Sequence, residues 1–262
     1  CVIPYLRGRV RSRAPEEILC EAQNCGCAEV VLTGINISAY CCENCDLAGL
    51  LGVLASLEKR IRLGSVECGV IDERFLQACR NLKNFAPQFH LSLQSGSDSV
   101  LRAMNRRYTR AQYLEKCALI YKYFPEAAIT TDIIAGFAGE TEEDFADSLS
   151  IIEEARFARV HVFAFSPREG TAAYKMKDVP PDIKSARLHK LLEAGEVAAA
   201  KFVEKNIGNV QEVIFEDMEG DCTAGYTGSY IKVYCAGDLR GKICNVRLVK
   251  PFKDGAFGEV IF

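Results

Sequence analysis

At 262 residues and 28.9 kDa the chain is longer than one small domain needs, so a principal domain with an appended module is expected. Hydrophobic residues make up 49% and charged residues 26%, and no apolar run approaches the ~18 residues that cross a bilayer, which argues against membrane insertion. The formal net charge of −3 excludes binding to nucleic acid through a strongly basic body, so any RNA contact has to be local.

The only dense basic stretch opens the chain. Arg7, Arg9, Arg11 and Arg13 follow Tyr5 closely, and guanidinium forks match phosphate oxygens, although a solvated basic turn before a helix has the same composition. From residue 15 to 207 short β-rich runs at 29–33, 62–66, 89–94, 129–135 and 159–165 alternate with helical stretches near 16–24, 46–58, 72–81, 110–123 and 141–155. This alternation implies parallel strands joined by right-handed crossovers, in a parallel barrel or a doubly wound sheet. Asp72 is placed to cap one helix, and Thr141 with Asp144 makes a Thr-x-x-Asp variant of the capping box. Residues 181–208 open on Pro181, carry Ile183, Leu188, Leu191, Leu192 and Phe202 at helical spacing, and stop at Gly208, suited to a left-handed C-cap. Beyond it the period changes to two at 213–215, 230–234, 243–249 and 259–262, so residues 209–262 read as a small all-β barrel.

A parallel α/β barrel carries its chemistry just past the C-terminal ends of its strands. Gly34 lets backbone approach a ligand there, and Asn36 offers an amide to an amino acid's charged groups. Gln94-Ser95-Gly96-Ser97 ends one strand with a polar cluster, and Asp132 precedes the turn Gly136-Phe137-Ala138-Gly139-Glu140-Thr141. Arg168, beside small residues after the last strand, suits an anionic group. Taken singly, a turn glycine, a helix cap and a surface ion pair account for these residues equally well.

The thirteen cysteines are odd in number, which argues against a secreted disulfide framework and for reduced thiols in a cytoplasmic protein, most of them buried as small hydrophobes. Cys42-x-x-Cys45, beside Cys41, has the knuckle spacing of zinc or cluster ligands. A metal site there requires it to converge with the Cys25-x-Cys27 pair.

The ordered blocks are more specific than any one of them. Cys1-Val2-Ile3-Pro4-Tyr5 with Arg7-Gly8 and Ser12-Arg13, then Ser92-Leu93-Gln94-Ser95-Gly96-Ser97-Asp98 with Met104 and residues 106–109, then residues 136–145, resemble the signature blocks of the radical-SAM methylthiotransferases. Ala138 departs from the Gly-Phe-Pro-Gly-Glu-Thr form usual there, which should alter turn stiffness more than chemistry. Segments 5–13 and 161–171 are most similar to the enzymes that methylthiolate threonylcarbamoyladenosine beside the tRNA anticodon. Residues 209–262 resemble the family's TRAM domain, an OB-like barrel that grips RNA, although they hold six Lys or Arg against eight Asp or Glu.

The resemblance implies an α/β fold, with a partial parallel (β/α) radical-SAM barrel over 1–207 and a TRAM RNA-binding domain over 208–262. It implies a 4Fe-4S cluster held by Cys-x3-Cys-x2-Cys, with Cys1 as the third ligand, and an electron donor for that cluster. S-adenosylmethionine is expected among Gly34, Asn36, Gln94, Ser95, Asp132 and Arg168, with Asn36 and Arg168 at its amino-acid end and Gln94, Ser95 and Asp132 near ribose or amino group. The partner is tRNA, touched through Arg7, Arg9, Arg11 and Arg13. Because the sequence begins at Cys1, the two other ligands, the first barrel strand and an N-terminal domain with a second 4Fe-4S cluster are expected upstream. The alternatives are an inactive tRNA-binding fragment and a methylthiotransferase acting on isopentenyladenosine.

Overall fold

A computed structural model describes residues 3–261, so Cys1 lies outside the described residues. Helices α1 (Ile3–Arg7) and α2 (Pro15–Asn24) lead into strand β1 (Glu29–Leu32), and a short hairpin of β2 (Cys41–Cys42) and β3 (Cys45–Asp46) precedes α3 (Leu47–Val53). Then follow β4 (Arg60–Leu63), β5 (Ser65–Val66), α4 (Glu73–Asn81), β6 (Gln88–Leu91), α5 (Asp98–Ala103) and α6 (Arg110–Tyr123). The principal unit ends with β7 (Ala128–Ala135), α7 (Glu142–Glu154), β8 (Arg159–Ala164) and α8 (Pro181–Asn206).

Every pairing among the strands of this sheet is parallel: β1 with β4, β5 with β6, β6 with β7, and β7 with β8. β4 and β5 are one strand bent at Gly64, whose N–H donates to Leu32 O at 2.8 Å and where an added Cβ would crowd that same oxygen. Neighbours therefore follow chain order without a reversal. A doubly wound sheet needs a switch point, so the winding is barrel-like and open, with β1 and β8 at its edges among the described residues.

Alternation along the strands separates two faces. Ile129, Thr131, Ile133 and Ala135 of β7 are fully buried in one core with Leu50 and Leu51 of α3, Leu76 of α4, Ile120 of α6, Ile152 of α7 and Leu191 of α8. Each such aliphatic side chain contributes roughly 1.5–3 kcal/mol by leaving water. The opposite face carries Glu29, Arg60, Arg62, Gln88, His90, Asp132 and His161, a polar lining rather than a second core.

The expected helix starts form. Asp72 Oδ1 accepts from Phe75 N at 2.7 Å, and Thr141 and Asp144 complete their box, as do Thr109 and Gln112. Gly208 is left-handed, φ +90°, but its N–H donates to Leu248 O at 2.7 Å instead of closing the helix, so this glycine joins α8 to the next unit.

That unit is a closed barrel of β9 (Val210–Glu219), β10 (Cys222–Thr227), β11 (Lys232–Ala236), β12 (Ile243–Phe252) and β13 (Gly255–Val260), in the order β10-β11-β13-β12-β9. The alternation of large apolar residues does not mark β10, Cys-Thr-Ala-Gly-Tyr-Thr. Its Gly225 sits beside a register shift, with an added Cβ only 2.3 Å from Ile214 O, so packing against β9 demands small residues. The turn after β10 docks on the N-terminal ends of the parallel strands: Arg60 Nη1 donates to Tyr226 O at 3.1 Å, and Arg62 donates to Thr227 O at 3.2 Å and Gly228 O at 3.0 Å. Glu29 neutralises both guanidiniums, and Glu212 pairs with Arg60 at 2.8 Å. Among the described residues no helix is long and apolar enough to cross a membrane.

Candidate active site

The candidate site is built on a bulge. β6 pairs with β7 from Gln88↔Ala128 to His90↔Thr130, but the next bridge joins Gln94 to Ile133, so the β6 side carries one extra residue. Thr131 absorbs it: its hydroxyl accepts from Leu93 N at 3.1 Å and donates to Leu91 O at 2.7 Å. Gln94, left-handed at φ +77°, is clamped by β7 through its own N–H to Asp132 O and through its carbonyl to Ile134 N, both 2.8 Å. A strained non-glycine backbone at a strand end persists only when its surroundings over-determine it, as they do here.

The loop after Gln94 is fastened to α7. Ser148 Oγ lies 3.2 Å from Ser95 Oγ and accepts from Gly96 N at 3.0 Å, while Ser97 and Ser99 both donate to Asp144. Arg110 ties the same loop to α7 by donating to Gly96 O at 3.1 Å and Asp147 O at 2.6 Å. The turn after β7 is fastened as firmly. Glu140, buried, accepts from Gly136 N at 3.0 Å and from Arg187 Nη1 at 2.8 Å, and burial pushes its carboxyl above the usual range despite the guanidinium.

Four of the six expected cofactor residues offer groups at one end of the sheet. Gln94 and Asp132 adjoin through their backbones, Asn36 Nδ2 reaches Glu67 Oε1 at 3.5 Å, and Arg168 is exposed on the segment after β8. Gly34 is exposed at the same end, offering backbone only. Ser95 is different. Its hydroxyl is fully buried against Ser148, so it packs a helix instead of lining a pocket.

The polar face of the sheet adds a group that local sequence signals, taken residue by residue, leave unmarked. His90 Nδ1 lies 3.0 Å from Thr130 Oγ1 and its Nε2 3.2 Å from Asp132 Oδ2, with the His161 ring centroid 5.8 Å away. Desolvation, then His90, holds His161 below the usual histidine range. The signal was available, since alternation in Gln-Phe-His-Leu and Arg-Val-His-Val puts both rings on Asp132's face.

An S-adenosylmethionine fits this donor set: a half-buried carboxylate at Asp132 for an ammonium or ribose hydroxyls, a cation at Arg168 and an amide at Asn36 for a carboxylate, and an amide at Gln94 for hydroxyls. Cluster ligands are another matter. Among the described residues no group of three or more His, Cys, Asp or Glu could hold a metal ion. The Cys25 and Cys27 thiols meet each other, Cys42 pairs with Cys45 across the β2–β3 hairpin, and the two pairs do not converge.

Arg7, Arg9 and Arg11 are exposed, but Arg13 is committed to Glu17 and Glu21 along α2. A cavity of about 620 Å³ lies elsewhere, between α7 and α8 near Ile152, Phe157, Val197 and Phe202.

The model of the Radical SAM superfamily matches residues 1–152. Over all of this chain, the sequence is 35% identical to the threonylcarbamoyladenosine tRNA methylthiotransferase MtaB of Bacillus subtilis (strain 168), covering 62% of that protein. It is 36% identical to the protein of the same name in Chlamydia pneumoniae, covering 64% of it. It is 37% identical to the tRNA-2-methylthio-N(6)-dimethylallyladenosine synthase of Geobacillus kaustophilus (strain HTA426), covering 52%. The chain thus spans less than two thirds of the length of these curated relatives.

Proposed function

Because the chain belongs to the Radical SAM superfamily, we propose that it forms the cofactor-binding and RNA-docking part of a tRNA methylthiotransferase whose substrate is threonylcarbamoyladenosine beside the anticodon. The observation that carries this reading is the set of fastened polar groups at the C-terminal end of one open parallel sheet, inside a chain aligned throughout with proteins of that name.

Asp132 accepts the cofactor's ammonium or ribose hydroxyls, Arg168 and Asn36 hold its carboxylate end, and Gln94 is presented by its clamped backbone. When bound, S-adenosylmethionine with its iron–sulfur cluster supplies the radical chemistry and the methyl group. Glu140 and Asp144 keep the two strand-end turns in position by holding them to α8 and α7. The C-terminal barrel, read as a TRAM domain, and the exposed Arg7, Arg9 and Arg11 take the tRNA backbone. Their contribution falls with rising salt, because each neutralised phosphate releases counterions.

The test expresses the full reading frame that contains this sequence in cells lacking methylthio modification and analyses tRNA nucleosides by mass spectrometry. The 2-methylthio derivative of threonylcarbamoyladenosine is expected, with none from Asp132→Asn. Methylthiolated isopentenyladenosine instead would reassign the substrate, and no methylthio product on either base would end the reading.

A further inference from the structure

Cys25-Gly26-Cys27 joins the C-terminal end of α2 to β1, at the end of the sheet opposite the candidate active site. The two Sγ atoms are 2.9 Å apart, with Cys25 half-buried and Cys27 exposed. Lys59, just before β4, points its ammonium into the same corner. Its Nζ lies 3.2 Å from Cys25 Sγ and donates to Ala22 O at 2.8 Å, to Gln23 O at 3.2 Å and to Cys25 O.

A helix C-terminus alone disfavours a thiolate, because its free carbonyls carry partial negative charge. Lys59 offsets those carbonyls and adds a cation at the sulfur. The hydrogen bond from Cys27, then that from Lys59, holds the Cys25 thiol below the usual cysteine range, while the Cys25 side chain pushes Cys27 up. Cys20 and Cys41 are also exposed but face an amide, Asn24 Nδ2 at 3.3 Å, and a carbonyl, Glu43 O at 3.7 Å.

We infer that Cys25 and Cys27 form a thiol–disulfide exchange site for low-molecular-weight disulfides, with Cys25 attacking and Cys27 resolving. The Cys25 thiolate attacks one sulfur of RSSR; the S–S bond breaks, a Cys25–S–SR bond forms, and the departing RS⁻ takes up a proton. Cys27 then loses its proton to solvent and attacks Cys25 Sγ, expelling the second RS⁻, which is protonated in turn. RSSR gains two electrons and becomes two RSH, and the protein dithiol becomes a disulfide closed over one intervening residue. So small a ring strains the bridge, which keeps the exchange reversible.

The probe is glutathione disulfide, added to the whole chain, quenched with acid and followed by peptide mass spectrometry. Glutathione should appear on Cys25 roughly threefold or more faster than on Cys20 and Cys41, then give way to a Cys25–Cys27 peptide lacking two hydrogens. Cys27→Ser should leave the Cys25 adduct to accumulate. Lys59→Met should slow Cys25 to the rate of the other exposed thiols, and Lys59→Arg should preserve it. Equal labelling of Cys20, Cys25 and Cys41, first labelling of Cys27, or no accumulation in Cys27→Ser would each overturn the assignment.

Discussion

Thr131 places a buried hydroxyl in the middle of an apolar strand face, where its hydrogen bonds with Leu93 N and Leu91 O repair the ladder that the β6 bulge interrupts and a third, from Tyr113 OH, holds it at 3.3 Å. Thr131→Val keeps the shape and leaves Leu93 N–H without its acceptor, which costs about 1–3 kcal/mol. Urea unfolding should show that loss, with Thr131→Ser much closer to the parent. An unchanged midpoint for the valine variant would remove this role. Asp144 provides a pH-dependent counterpart. Burial opposes its ionisation, but hydrogen bonds from Ser97, Ser99 and Thr141 outweigh burial and hold its carboxyl at about 2, against 3.8 ordinarily. A depressed folded value stabilises above the unfolded one and loses that contribution as pH falls through the folded one, so the window runs from about 4 down to about 2. In a circular dichroism titration Asp144→Asn should flatten the acid limb within that window. Coincident curves would mean that another group carries the linkage.

Elements meet at contacts that tolerate little change. At Gly96 an added Cβ would lie 2.3 Å from Asp147 O, backbone against backbone, so Gly96→Ala must push the strand-end loop away from α7. The expected cost is about 1–3 kcal/mol, read as a lower thermal midpoint together with faster amide exchange at residues 94–98. Normal exchange there would show that the loop does not depend on this approach. Glu140 and Arg187 join the next turn to α8 from inside the core, both nearly inaccessible. Glu140→Ala leaves the buried Arg187 only the exposed Glu142 as a partner, so it should cost about 3 kcal/mol in chemical denaturation, well beyond an exposed pair such as Lys83–Glu58.

At the scale of the whole molecule, Glu29, Arg60 and Arg62 make the joint between the parallel sheet and the C-terminal barrel. The guanidiniums are buried, yet four main-chain carbonyls and two carboxylates satisfy them, so the joint is specific as well as strong. Arg62→Ala leaves Thr227 O and Gly228 O without these donors and removes the cation 4.6 Å from the Tyr230 ring. Calorimetry should then resolve two transitions in place of one, and proteases should cut near residues 207–210. One cooperative transition with unchanged cleavage would mean that α8 alone holds the two units together.

The periods of two and 3.6 sufficed for the five parallel strands, most of the helices between them, the caps at Asp72 and Thr141, and the β character of the last fifty or so residues, because those patterns are local and record which face meets the core. β10 escaped because its small residues answer to Ile214 across the barrel, a neighbour no window around Gly225 contains. The same limit applied at the site. Arg13 belongs to a helix-surface ion pair, Ser95 to a helix contact, and Asp132 to a histidine forty-two positions earlier. Local sequence carries propensity and periodicity, whereas strand order, the direction a hydroxyl faces and the convergence of two thiols or a His and an Asp depend on contacts between distant segments. Those contacts exist only once the sheet has formed, and its strand order and register decided which of the residues legible in the sequence came to lie on one face.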